Sequence, residues 1–228
     1  MSGVLTVTAS PAFAAKWLLP RIDRFQTACP DTDVRLDTNL KAVDFVSQRI
    51  DIGVRYGVGS WAGLIAEKLL DEEVYPVCSP EMLRKTRLIN PSDLAQETLI
   101  HDLSMDGHPG FPTWSAWLQK AGVVNVSGWR GMKINNSAAV LQAALEGHGI
   151  ALARSVMARD DLLSGRLVRL FSEISFDSPM AYYVVYRADC AGLPRIRTFR
   201  DWLMEEARAL AKPTDAERHP QSQRAEHA

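Results

Sequence analysis

Apolar and polar positions along the chain repeat with two periods, one suited to strands and one to helices. Residues 4–9 read as a buried first strand, broken by Ser10-Pro11. Phe13, Trp17, Leu18, Ile22 and Phe25 then recur at helical spacing. Pro20 falls inside that pattern, where a proline removes a backbone donor and clashes with the preceding turn, so a kink or restart is expected there. Residues 34–38 predict a second strand, 43–49 a short helix, and 50–56 a third strand with apolar side chains at 50, 52 and 54. Such a βαβαβ run predicts mostly parallel strands covered on both faces, with ligands bound beyond the carboxyl ends of the strands. Those ends are Ser10, Leu40 and the segment from Tyr56 to Gly59.

A long extended stretch, 66–78, leads into a second α/β series: strand 99–101, helix 113–121, strand 132–135, helix 138–146, strand 150–153 and helix 156–163. Gly147 and Gly149 are placed to stop the fourth of these. Residues 182–186 form a β-prone strand, and Ile196, Phe199, Leu203, Ala207 and Leu210 give a final amphipathic helix. From Lys212 the chain turns polar, with Pro213 and Pro220 and no large apolar residue, so 212–228 is expected to be a disordered tail.

Composition narrows the function classes. The chain has 228 residues, 46% of them hydrophobic and 23% charged, enough for one large domain or two small lobes. With 26 Lys and Arg against 27 Asp and Glu, it has no net field to attract nucleic acid or an anionic membrane. Cys29, Cys78 and Cys190 are odd in number and widely spaced, which predicts neither a disulfide framework nor zinc and fits a reducing cytoplasm. No export signal and no run of about 18 apolar residues is present. A nucleophile elbow, a paired-histidine metal motif, a phosphate-binding loop and a dinucleotide fingerprint are all absent. His101, His108 and His148 lack ligand spacing, and nothing in the spacing supports a triad of Ser137, His101 and Asp102. No catalysis, metal or cofactor is predicted.

Six phrases in order carry a family resemblance: FAAKWLLPRIDRFQTACPDTDVRL, DFVSQRIDIGVRYGVGSWAGL, EEVYPVCSPEML, HDLSMDGHPGFPTWSAWLQKAG, KINNSAAVLQAALEGHGIALA and AYYVVY. Together they resemble the effector-binding domain of LysR-type transcriptional regulators of the glycine-cleavage and β-lactamase activator type. The resemblance implies an α/β, type II periplasmic-binding-protein-like fold, in which two lobes are joined by two crossover strands. The first lobe would comprise residues 1–74 and 180–211, the second 75–179, with crossovers near 74–77 and 178–182. It also implies an N-terminal winged helix-turn-helix, expected to lie outside this chain, with Met1-Ser2-Gly3 left by cloning. The implied partners are a small-molecule effector and further copies of the chain, as a homodimer or homotetramer. DNA would be reached only through the absent segment. In such dimers the helix around Trp17 to Phe25 would face a partner's helix around Val140 to Leu145, although the same apolar residues equally suit an intramolecular core. A solute receptor of the same fold is the alternative, distinguished by an export signal.

The effector site is expected at strand-to-helix turns, where backbone donors and helix N-termini meet an anion. Ser10 either caps the first helix or reaches ligand, and both readings stand. Relatives often carry a hydroxyl just before Phe13, where this chain has Ala12. The turn at Asn135, Asn136 and Ser137 matches a polar, hydroxyl-bearing turn of the family; Asn136 or Ser137 caps the following helix in any case, and Ser137 either reaches ligand or serves in capping alone. Arg55, Tyr56 and Gly57 end the third strand; an arginine there suits a carboxylate, although a surface ion pair is its commoner use, and both readings stand. Tyr182 matches a pocket tyrosine of β-lactamase-type relatives, with Tyr183 on the opposite side of its strand. His101 and Asp102 would edge the cleft, with His101 more often structural than a proton carrier in such a place. The implied effector is a small carboxylate, amino acid or peptide fragment.

Overall fold

The computed structural model of the chain describes residues 3–41, 43–107, 111–124, 131–174 and 176–211. The tail expected at 212–228, the first two residues and His108 lie outside them. Strand β1 (Gly3–Ala9) ends at Ser10, whose hydroxyl caps helix α1 (Pro11–Phe13) by accepting from Phe13 N at 3.3 Å. A π-helical turn, Ala14–Leu18, continues it, and helix α2 (Ile22–Ala28) restarts after the break that Pro20 predicts. Strands β2 (Thr32–Thr38), β3 (Ile52–Gly57) and β4 (Leu64–Leu70) follow. The helix expected at 43–49 does not form. Asp44 instead accepts from Val46 N and Ser47 N through its side chain, and Arg49 adopts φ 52°, which closes the segment after successive turns.

The chain then passes to strand β5 (Val74–Cys78), helix α3 (Pro80–Lys85), strand β6 (Leu99–Asp102), helix α4 (Trp114–Lys120), strand β7 (Gly131–Ile134) and helix α5 (Ser137–Leu145). Strand β8 (Ile150–Arg154), helix α6 (Ser155–Leu163) and the short strand β9 (Val168–Arg169) complete the second series. Strand β10 (Ala181–Arg187) returns to the first sheet, and helix α7 (Pro194–Ala211) covers it.

Two five-stranded sheets result, ordered β2-β1-β3-β10-β4 and β7-β6-β8-β5-β9. Both are mixed rather than mostly parallel. In each, three strands run parallel, and the pairings of β10 with β3 and β4, and of β5 with β8 and β9, are antiparallel. The two passages between sheets lie side by side, bridged at Glu73 and Asp177, with Val74 N donating to Phe176 O and Ser178 N to Glu72 O.

One hydrophobic cluster runs through both sheets, from Leu5, Val7 and Phe13 to Val140, Ala151 and Met157. Trp17, Phe25, Val140, Leu141 and Ala144 are all buried within the single chain, so the apolar spacing noted in those helices is first of all internal core. Ion pairs reinforce the contact between the sheets. Arg21, itself buried, grips Asp160 of α6 with both terminal nitrogens at 2.9 and 2.7 Å, and Lys16 reaches Asp161 at 3.1 Å. Among the described residues no helix is long and apolar enough to cross a membrane.

Gly147 ends α5 with φ 75°, as expected of a helix-stop glycine. Gly149 has a different role. A Cβ there would sit 2.4 Å from the Thr98 carbonyl oxygen, which Ile150 N holds at 2.9 Å. Gly149→Ala must therefore push β8 away from its neighbour, at a cost of about 1–3 kcal/mol, read as a lower urea midpoint.

Candidate functional site

The strand ends converge on a cavity of about 120 Å3 between the two sheets. Ser10, Ala12, Asn39, Arg55 and Tyr56 line it from the first sheet's side, and Ser104, Met105, Asn136, Ser137 and Arg154 from the second's. A larger cavity, about 520 Å3, lies among Leu70, Tyr75, α6, Arg169 and Leu210. That one holds none of the strand-end residues of β1 or β3, whereas Arg55, Tyr56, Ser104, Ser137 and Arg154 all line the smaller one.

On the first wall, Arg55 projects opposite to buried Val54. Its terminal nitrogens donate to Asn39 O and Thr8 Oγ1, both at 2.8 Å. Burial lowers its pKa, and Asp37 pulls the other way. The Tyr56 hydroxyl lies 2.7 Å from Ser178 Oγ.

On the second wall, Arg154 ends β8 with 7% of its surface exposed. It donates to Ser137 Oγ at 3.0 Å and lies over the Tyr56 ring, 5.1 Å from its centre. Its Nε has no hydrogen-bond partner among the described residues. Burial works to lower the Arg154 pKa, but Tyr182, Glu72, Asp102 and Tyr56 outweigh it and leave it raised. Ser137 in turn donates to Asp102, which also accepts from Ser104 N at 3.0 Å and Ser104 Oγ at 2.5 Å.

Behind this wall Glu72 is buried beside the passage between sheets, accepting from Ser155 Oγ at 2.6 Å and Val156 N at 3.0 Å. Burial raises its pKa, against the opposing pull of Arg154. Tyr182 is 1% exposed, and its hydroxyl makes no hydrogen bond of regular geometry, although Glu72 is near enough to perturb it. Burial raises the Tyr182 pKa well above its ordinary value.

Of the residues singled out in the sequence, Ser10, Ala12, Arg55, Tyr56, Asn136 and Ser137 meet at the cavity. Phe13 does not. It is wholly buried, stacked on Trp17 at 5.0 Å and tilted against Tyr182 at 4.9 Å. Tyr182 lies beneath Tyr56, with ring centres 4.9 Å apart. Gly57 packs toward Trp61, where a Cβ would come within 3.0 Å of the indole. His101 lies against Gly131, and burial and Lys133 lower its pKa. Ser137 and Asp102 therefore meet, while His101, the neighbour of Asp102 in β6, lies on the other face of that strand, against Gly131. Among the described residues no group of three or more His, Cys, Asp or Glu is arranged to hold a metal.

Sequence reasoning missed Arg154, Ser104 and Asn39. Arg154 had a usable signal: a cation at the carboxyl end of the predicted strand 150–153, immediately before a helix, which is the argument applied to Arg55.

A family model described as LysR substrate binding domain matches residues 1–208. The glycine cleavage system transcriptional activator of Escherichia coli (strain K12) is 38% identical over 208 residues, covering 91% of this chain and 66% of that protein. The HTH-type transcriptional activator AmpR of Pseudomonas aeruginosa is 34% identical over 211 residues, covering 92% and 68%. The effector domain of AmpR from Pseudomonas aeruginosa, a solved structure, matches with a TM-score of 0.74 and 32% identity, over 92% of this chain and 98% of that one. The chain thus spans about two thirds of the length of these curated relatives.

Proposed function

The chain belongs to the LysR family as its substrate-binding domain, with the type II periplasmic-binding-protein-like fold of LysR effector domains, and from that premise we propose that it senses a small carboxylate-bearing effector between its two sheets. The observation that carries this reading is Arg154: a guanidinium more than nine-tenths buried, with an unpartnered Nε, at a cavity that Arg55 lines from the other side. Two arginines from opposite walls suit one carboxylate, because a guanidinium offers paired N–H groups that match its geometry. Ser10 and Ser137 add hydroxyls at the same cavity, and Tyr56 forms an apolar face.

In the complete regulator, a cytoplasmic dimer or tetramer, effector binding shifts the relation between the sheets and so the placement of DNA-binding segments outside this chain. A ligand does this only if it binds one arrangement better than the other. The Arg21–Asp160 and Lys16–Asp161 pairs, which tie the first helical region to α6, are the contacts such a shift would strain or exchange.

Thermal-shift titration against small carboxylates, amino acids and cell-wall peptides tests the reading, since a ligand selective for the folded state raises Tm by mass action. The expected result is a dose-dependent rise for a carboxylate, with affinity at least about tenfold weaker in Arg55→Met, as befits the loss of one charged hydrogen-bond partner. No rise with any carboxylate, or full affinity in a folded Arg55→Met, would reject it.

A further inference from the structure

Arg154 serves two neighbourhoods at once. Toward the cavity, it and Arg55 are the charged side chains of the lining among the described residues. Behind the wall, Glu72 and Asp102 stand as its counter-charges. An anion entering the cavity therefore competes with two carboxylates for one guanidinium, and a like charge brought close favours the protonated form of a carboxyl that can take a proton.

The two carboxylates differ in that ability. Both oxygens of Asp102 are occupied: Oδ1 accepts from Ser104 N at 3.0 Å and Ser104 Oγ at 2.5 Å, and Oδ2 accepts from Ser137 Oγ. Glu72 is lopsided. Its Oε1 accepts from Ser155 Oγ at 2.6 Å and Val156 N at 3.0 Å, while its Oε2 is buried with no hydrogen-bond partner among the described residues. The Tyr182 hydroxyl, close enough to influence Glu72, also lacks a bond of regular geometry. A proton on Oε2 completes this pair, with Glu72 donating to the Tyr182 oxygen and its bonds to α6 kept.

The other elements packed here bring Tyr56 of β3 and Tyr75 of β5 within electrostatic reach of Glu72, and burial raises the pKa of both, so they stay neutral. Glu73 turns away to Arg169, at 3.1 and 2.5 Å. Arg154 is the cation acting on Glu72.

We propose that effector binding is coupled to proton uptake: as an anionic group engages Arg154 from the cavity, Glu72 takes one proton from solvent onto Oε2 and donates it to the Tyr182 oxygen. The new O–H bond is the one covalent change. This rests on the carboxylate reading above and adds its regulation, a joint response to effector and acidity. The pair sits where the sheets join. Glu72 lies in the passage leading to β5, its backbone oxygen accepts from Ser178 N of the returning passage at 2.9 Å, and Tyr182 belongs to β10. One neutral side chain then ties β10 to the start of α6.

The sign follows from linkage. In the free chain burial raises the Glu72 pKa above 4.5 and Arg154 opposes the rise. An anion on Arg154 weakens that opposition, so the complex holds the proton more tightly than the free chain. Affinity must strengthen as pH falls between the two values, by at most about tenfold per pH unit.

Calorimetric titration with pyruvate and lactate, from about pH 8 to about pH 5 in buffers of different ionisation heat, reads affinity and proton count together. The expected result is tighter binding toward acid, by about threefold or more per unit at the steepest point, with proton uptake that nears one per ligand. In Glu72→Gln, which has no carboxyl to protonate, both effects should vanish. Should that variant not fold, NMR of isotope-labelled glutamate carboxyls in the wild type decides, since one of them must shift to its protonated position when pyruvate is added. Binding without uptake or pH dependence, or without that shift, would overturn the coupling and leave the carboxylate reading standing. Uptake that persists in folded Glu72→Gln would place the proton elsewhere and overturn the role of Glu72. No binding of pyruvate, lactate or any carboxylate of the thermal-shift series would overturn both.

Discussion

Phe13→Ala is expected to destabilise the chain by about 3–5 kcal/mol, the usual range for deleting a buried phenylalanine. The residue is wholly buried and links two parts of the molecule that are distant in sequence. Its ring stacks on Trp17 in the π-helical turn and tilts against Tyr182 of β10, and Tyr182 packs under Tyr56 at the cavity. Removing it leaves a hole in this row of rings, and the rigid β10 strand beside it cannot collapse to fill the space. Aromatic pairs of this kind add about 0.5–1.5 kcal/mol beyond area burial. Chemical denaturation should therefore show a large fall for Phe13→Ala and a smaller one for Phe13→Leu. A loss below about 1 kcal/mol would mean that the row of rings is not the support described. The expected influence on effector binding is indirect, through a less firmly held Tyr56.

Local rules made most of the fold legible. The apolar run before Ser10-Pro11, the helical spacing through Trp17 and the break at Pro20 each depend on residues within a few positions, and the corresponding elements are present. The segment 43–49 failed for an equally local reason that apolar spacing does not register: the Asp44 side chain competes for the N–H groups a helix would need, and Arg49 leaves helical space. The antiparallel strands β5 and β10 were not separable in sequence from parallel ones, because strand direction depends on which sheet the chain rejoins.

The site was half legible. Ser10, Arg55 and Ser137 follow from the rule that ligands gather at strand ends, and they reach one cavity. Phe13 and His101 lie next to such ends, yet parity decides against them. Phe13 points from its turn into the core, and His101 points to the side of β6 opposite Asp102, which meets Ser137 instead. The partners that give the site its electrical character, Glu72 with Ser155 and Asp102 with Ser137, are separated by 83 and 35 positions, and no spacing rule joins them.

Arg154→Met should show the most severe loss at the site, in stability as well as in binding. The guanidinium is buried among Asp102, Glu72, Tyr56 and Tyr182, and methionine fills similar space without charge. Removing one partner of a buried ionic group strands the others, at a cost of about 3–5 kcal/mol. The loss should depend on pH in a definite direction. In the wild type, burial raises the Glu72 pKa and Arg154 opposes that rise, so without Arg154 the folded-state pKa climbs further above the ordinary 4.5. A folded-state pKa above the unfolded one means that the folded chain binds the proton more tightly, so stability falls as pH rises from about the unfolded value through the folded one. The deficit of Arg154→Met should accordingly be largest at neutral and alkaline pH and shrink as pH is lowered toward 4.5. Adding Glu72→Gln, whose amide oxygen still accepts from Ser155 and Val156, should remove much of this pH dependence and recover part of the stability. Urea titrations of the two variants across that range provide the check. A deficit that stays constant with pH, or that Glu72→Gln leaves unrelieved, would separate Arg154 from Glu72 and leave Asp102 as its only charged partner of consequence.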